Sequence, residues 1–135
     1  MDGVERAVRR ITSNDRFARL VGTEIQEVRP GYARVSLKIE DKHLNSVDMT
    51  HGSVVFTLVD MAFALASNSH GQVAVALNMS INFVKATGTG DFLTAEATED
   101  KLTNRTGLYR ITVNDETGEV VCVAEGLVYR KKELI

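Results

Sequence analysis

Residues 52 to 66, GSVVFTLVDMAFALA, are apolar around nearly the whole circumference of a helical wheel. A helix of that kind is buried on all sides. It is also too short to span a bilayer, which takes about 20 apolar residues. The pattern therefore predicts a central helix wrapped by protein. The wrapping is visible on both sides of it. Upstream, Val4, Ala7, Val8 and Ile11 recur at helical spacing opposite Arg6, Arg9 and Arg10, predicting a short amphipathic helix that ends near Ser13-Asn14. Phe17 to Leu20 extend it by a turn or two, and a strand from about Val21 to Val28 follows. Pro30-Gly31 marks a turn, and Ala33, Val35, Leu37 and Ile39 then alternate with Arg34, Ser36 and Lys38 in a half-buried strand that closes a hairpin.

Downstream, Val73, Val75, Leu77, Met79, Ile81 and Phe83 share one face over six alternations, while the other face is small or polar. A strand this long is expected to be central and strongly curved. Gly88 and Gly90 mark a turn before the alternation at Leu93, Ala95 and Ala97. Tyr109, Ile111 and Val113 carry a further strand, and Val120 to Arg130 the last. Short turns make neighbouring strands antiparallel. The fold class is α+β: one curved antiparallel sheet around one long helix, a single domain over residues 1–135.

Composition narrows the function classes. The chain is 44% hydrophobic and 25% charged, with a formal net charge of −2. That balance speaks against nucleic acid as the main partner, which calls for a basic face. No apolar run is long enough for a membrane span, and the charged N-terminus lacks the apolar core of a signal peptide. A single cysteine, Cys122, alternates with Val121 and Val123, as a buried small hydrophobe does, and fits a reducing, cytoplasmic setting. His43, His51 and His70 have no metal-ligand spacing within one element, so no metal is expected.

Asp60 stands apart. A carboxylate within an apolar helix costs several kcal/mol unless it is paired or protonated, and the positions three and four away are Phe56, Thr57, Phe63 and Ala64. It is either held by a partner strand or lines a cleft with a raised pKa. Gly52 opens the same helix, where free N–H groups and positive partial charge can hold an oxyanion.

The run HLNSVDMTHGSVVFTLVDMAFALASNSHG resembles the core motif of hotdog-fold acyl-CoA thioesterases of the PaaI-like, phenylacetate-pathway type. The shared features are Asn45, His51-Gly52-Ser53, Asp60 and Asn68-Ser69, followed by Asn82-Phe83, Gly90-Asp91, Asn104-Arg105 and a closing Gly126-x-x-x-Arg130. The resemblance spans about residues 17 to 131. Two positions depart from it. Ser53 replaces a second glycine, and Ala76 stands where some relatives carry a serine that helps hold the attacking water.

The resemblance implies a hotdog fold dimerising edge to edge, as a homodimer or a dimer of dimers. It implies hydrolysis of aryl-acetyl or short to medium acyl-CoA, with no cofactor. The Gly52 N–H would polarise the carbonyl, Asp60 would act as base or nucleophile, and Asn45 would orient water or thioester. His51, Ser53, Met61 and Ala64 would line the substrate site, and Lys85, Arg105 and the Arg130-Lys131-Lys132 cluster would meet the CoA phosphates. Two competing readings are a hotdog module that binds acyl-CoA without cleaving it, and a hotdog hydratase, which needs an Asp-His pair that His51 and Asp60 do not supply.

Overall fold

The computed structural model describes all residues from Met1 to Ile135. Two short helices come first. In α1 (Gly3–Asn14) Asp2 is the cap, its carboxylate accepting from the Glu5 N–H at 2.8 Å. Asp15 separates α1 from α2 (Arg16–Val21) and caps the second helix by accepting from the Ala18 N–H at 3.0 Å. Strands β1 (Glu24–Arg29) and β2 (Tyr32–Lys38) form the expected hairpin, with Gly31 at φ 76° in the turn. The first strand starts three residues later than its pattern suggested, because α2 holds the chain helical through Val21.

The helix α3 runs from Gly52 to Asn68. Four strands follow: β3 (Gln72–Phe83), β4 (Phe92–Leu102), β5 (Thr106–Asn114) and β6 (Val120–Leu134). All strand pairs are antiparallel, in the spatial order β1-β2-β4-β5-β6-β3, and the sheet is open at both ends. Ala33, Val35, Leu93, Ala95, Ala97, Tyr109, Ile111 and Val113 are fully buried on its concave face against Leu58, Val59, Ala62, Leu65 and Ala66 of α3. This is the hotdog arrangement of a long helix held in a curved sheet.

The two ends of α3 are tied to the sheet by the Asn-Ser pair and the loop before the helix. Asn68 accepts from the Ala74 N–H and donates to the Ala64 carbonyl, while Ser69 Oγ accepts from the Gly31 N–H at 2.8 Å. At the other end the His51 N–H donates to the His43 carbonyl, and the Thr50 N–H to Thr87.

Three expectations are corrected. The long strand β3 is an edge strand, not a central one, with β6 as its only neighbour. Its alternation is also broken: Ala76 pairs with Val128 and Asn78 with Leu127, which leaves Leu77 as an extra residue in a bulge. Hence Ala74, Met79 and Ile81 pack on the core while Val75 and Leu77 face outward. Neither is α3 buried all round. Ser53, Phe56 and Asp60 form an exposed stripe, because the sheet and the N-terminal helices cover only the remaining faces.

Gly126 of the closing motif has a packing role. A Cβ there would lie 2.6 Å from the ring of buried Phe63, which itself meets Tyr109 edge-on at 5.9 Å. We expect Gly126→Ala to lower stability by about 1–3 kcal/mol, as overpacking does. Urea unfolding of the variant beside the wild type measures this, with an unchanged midpoint contradicting the close approach.

Candidate active site

The N-terminal end of α3 is built by its own side chains. His51 is the cap, and its Nδ1 accepts from the Ser53 N–H at 3.1 Å. A backbone N–H can only donate, so Nδ1 is the bare nitrogen and the ring proton sits on Nε2. The Ser53 hydroxyl, 2.7 Å from the same Nδ1, therefore also donates. Ser53, the departure from the family glycine, thus closes the cap instead of disturbing it. The Gly52 N–H donates to no acceptor in the chain, which is the condition for offering it to an oxyanion. Phe83, at the end of β3, stands beside it with ring atoms 3.7 Å from where a Gly52 Cβ would be. Together with Met49, Val55 and Val121 they line an apolar cavity of ≈ 390 Å³.

Asn45 knits the loop that leads into this end. Its Oδ1 accepts from the Val47 and Met49 N–H groups at 3.0 and 3.1 Å, and its backbone N–H donates to Met49. The side-chain NH₂ is left without a partner inside the chain and remains available as a donor.

Asp60 has no hydrogen bond and no cation within reach, so it is not the carboxylate of a buried ion pair. Desolvation by the surrounding chain holds its pKa above the ordinary value, and the negative charge of nearby Asp15 adds to the shift. The carboxylate is accessible on the open stripe of α3, with Met61 buried behind it and Ala64 half-buried one turn on. Position 76, on the exposed edge strand, is an alanine whose methyl cannot hold a water.

The basic candidates divide. Lys85 is bonded to both Asp115 and Glu119, which raises its pKa and pulls that of Asp115 well below the usual range. An ammonium between two carboxylates has no surplus charge for a phosphate. Arg105 and Arg130 do come together, joined by Lys132, around a cavity of ≈ 330 Å³ that no carboxylate lines. Arg130 is oriented by the Thr103 carbonyl and by Gln72 Oε1 at 2.6 and 2.5 Å, and its Nε is buried without a partner. Lys132 belongs to the basic run Arg130-Lys131-Lys132 at the end of the last strand. The remaining histidines are structural. His43 is buried, bonding the Glu40 N–H and the Val21 carbonyl, and His70 pairs with Glu99 at 2.6 Å. Cys122 is buried, and burial pushes its thiol up to about 11. No group of three or more His, Cys, Asp or Glu side chains is placed to hold a metal ion, and no helix is long and apolar enough to cross a membrane.

The sequence and the fold of this chain have counterparts in known proteins. The thioesterase superfamily profile matches residues 48–122, more than half of the chain. The chain belongs to the thioesterase superfamily. A putative esterase of Archaeoglobus fulgidus is 41% identical over 96% of this chain and 84% of its own. The acyl-coenzyme A thioesterase PaaI of Escherichia coli is 34% identical over 87% of the chain and 84% of its own. Its solved structure superposes with a TM-score of 0.95 at 31% identity, covering 98% of this chain and 96% of that one. A Streptococcus mutans protein solved with acetyl CoA bound gives a TM-score of 0.81 at 27% identity, over 84% and 92% of the two chains. The protein is thus a PaaI-like hotdog enzyme of the hydrolase class.

The Asp60 shift has a consequence for stability. A carboxyl whose folded pKa exceeds its unfolded value is a destabilising charge above the folded pKa, and the cost disappears as pH falls below the unfolded value. Asp60→Asn is expected to melt at or above the wild-type temperature at pH 7, with the difference closing toward pH about 4. Thermal melts at the two pH values check this; a variant markedly less stable at pH 7 would show Asp60 to be a structural partner.

Proposed function

We propose that the protein is an acyl-CoA thioesterase whose active site is shared between two subunits, with Gly52 and Asn45 from one and Asp60 from the other. The observation that carries this reading is the separation of the two groups on one rigid element. Gly52 and Asp60 are eight residues apart on α3, which at 1.5 Å per residue is about 12 Å along the axis. A carbonyl held at the Gly52 N–H is out of reach of the same chain's Asp60. The open edge of β3 and the exposed stripe of α3 give a second copy a place to complete the site. Pairing β3 edge to edge is the natural closure, because an unpaired strand edge presents free backbone donors and acceptors.

In this arrangement the thioester oxygen accepts from the Gly52 N–H, reinforced by the positive end of α3. Asn45 offers its free NH₂ to the same oxygen or to water; the alanine at position 76 adds no hydroxyl to that task. Asp60 either takes a proton from water as the water attacks the carbonyl, or attacks the carbonyl itself and is released by hydrolysis of the resulting anhydride. In both routes the C–S bond breaks, CoA leaves as a thiolate, and water supplies the oxygen and proton of the products. A thiolate leaving group needs little acid assistance, so no histidine is required for that step. His43 and His70 are bonded elsewhere and His51 spends its Nδ1 on its own helix cap, which weighs against the Asp-His pair of a hydratase. The partnerless carboxylate equally weighs against a passive acyl-CoA-binding module. The Arg105, Arg130 and Lys132 cavity is assigned to CoA phosphates, and Met61 and Ala64 to the acyl side.

Incubation with an acyl-CoA panel and a thiol reagent tests the activity, and CoA release is the expected result. Asp60→Asn should lower turnover by at least about a hundredfold, the scale of an acid–base group. Because only the ionised carboxylate can act, wild-type turnover should fall on acidification with a midpoint above 3.8, the ordinary value. Binding of acyl-CoA without release, or near-normal turnover in the variant, would contradict the assignment.

A further inference from the structure

The N-terminal helices roof a second cavity, on the Asp60 side of α3 and away from the Gly52 end. It has a volume of ≈ 360 Å³ and an aliphatic floor of Ile11, Ala18, Ile25 and Met61. Met61 directly follows Asp60, and Asp15, at the α1–α2 junction, both lines the cavity and lies within electrostatic reach of the Asp60 carboxylate. The cavity therefore adjoins the reacting group. It is made by α1, α2 and β1 with α3, and so belongs entirely to the chain that supplies Asp60.

We infer that this cavity receives the acyl group of the substrate, and that α1 and α2 set which acyl groups are accepted. The inference rests on the thioesterase reading of the site. The aliphatic floor favours chains longer than acetyl, because each methylene moved from water into it is stabilising. The rim selects by charge. Asp15 and Glu24 line it with Arg19, two acids to one base, beside the negative Asp60. An acyl group ending in a carboxylate is repelled, and an uncharged aliphatic or aryl group is taken. The Gly52 cavity, with Phe83 at its wall, is left for the pantetheine arm.

Filling the cavity tests this without depending on turnover. Thr12 lines it from an exposed position on α1, so Thr12→Trp adds volume without disturbing the core. Thr23→Phe does the same from the α2–β1 connection. The probes are the thioether analogues octyl-CoA and ethyl-CoA, which cannot be hydrolysed, and binding is measured by calorimetry. The ratio of octyl-CoA to ethyl-CoA affinity should fall about tenfold in both variants, the loss expected when two methylenes stay in water. In parallel, wild-type kcat/KM should be at least about tenfold higher for octanoyl-CoA than for glutaryl-CoA. An unchanged affinity ratio in both folded variants, or a fall on Phe83→Ala instead, would overturn the assignment and place the acyl group at the Gly52 end. Failure of the wild type to hydrolyse any acyl-CoA would instead overturn the thioesterase reading, and the affinity ratio would still decide where an acyl chain binds.

Discussion

A carboxylate without a counter-ion on an apolar helix is the constraint on which the rest depends. Inside protein, such a charge is tolerated only where water or a ligand reaches it. Here the sheet encloses α3 on its Leu58, Ala62, Leu65 and Ala66 faces and leaves the Ser53, Phe56 and Asp60 stripe open. The strand order follows the same logic. With β3 at the edge, the unpaired backbone and the open stripe both face outward from one chain. The fold is thereby left incomplete in two places at once, and a second copy can close both.

The other parts of the site are arranged around the head of that helix. His51 and Ser53 satisfy each other and the Ser53 N–H, leaving the Gly52 N–H as the unbonded donor. Asn45 spends its oxygen on its own loop, which fixes the side chain and keeps the NH₂ free. Each side chain is held by one end and presents the other, the form of preorganisation that electrostatic catalysis needs.

Much of this was legible in the sequence, for identifiable reasons. The all-round apolarity of residues 52–66 marked the central helix, and one acid within it marked the candidate site. The Asn45, Gly52 and Asp60 spacing gave the family. Other features depended on information that no local pattern carries. A bulge at Leu77 splits an apparently perfect alternation, because pairing with β6 and not side-chain character decides which residues pack inward. An edge strand can be as long and as apolar as a central one, so the length of β3 misplaced it. The stripe at Ser53, Phe56 and Asp60 looked buried for the same reason, since Phe56 in an open face reads as core. Lys85 could be separated from Arg105 and Arg130 only when Asp115 and Glu119, distant in sequence, were seen beside it.

The central claim is that one chain cannot hold a complete site. The direct measurement mixes two inactive proteins, Asn45→Ala and Asp60→Ala, unfolds them together in equal amounts and refolds them. Random pairing makes about half of the dimers mixed, each with one intact and one doubly damaged site. About a quarter of wild-type CoA release is then predicted to return. Recovery no greater than that of the two parents refolded separately would place Asn45, Gly52 and Asp60 in one chain and contradict the account.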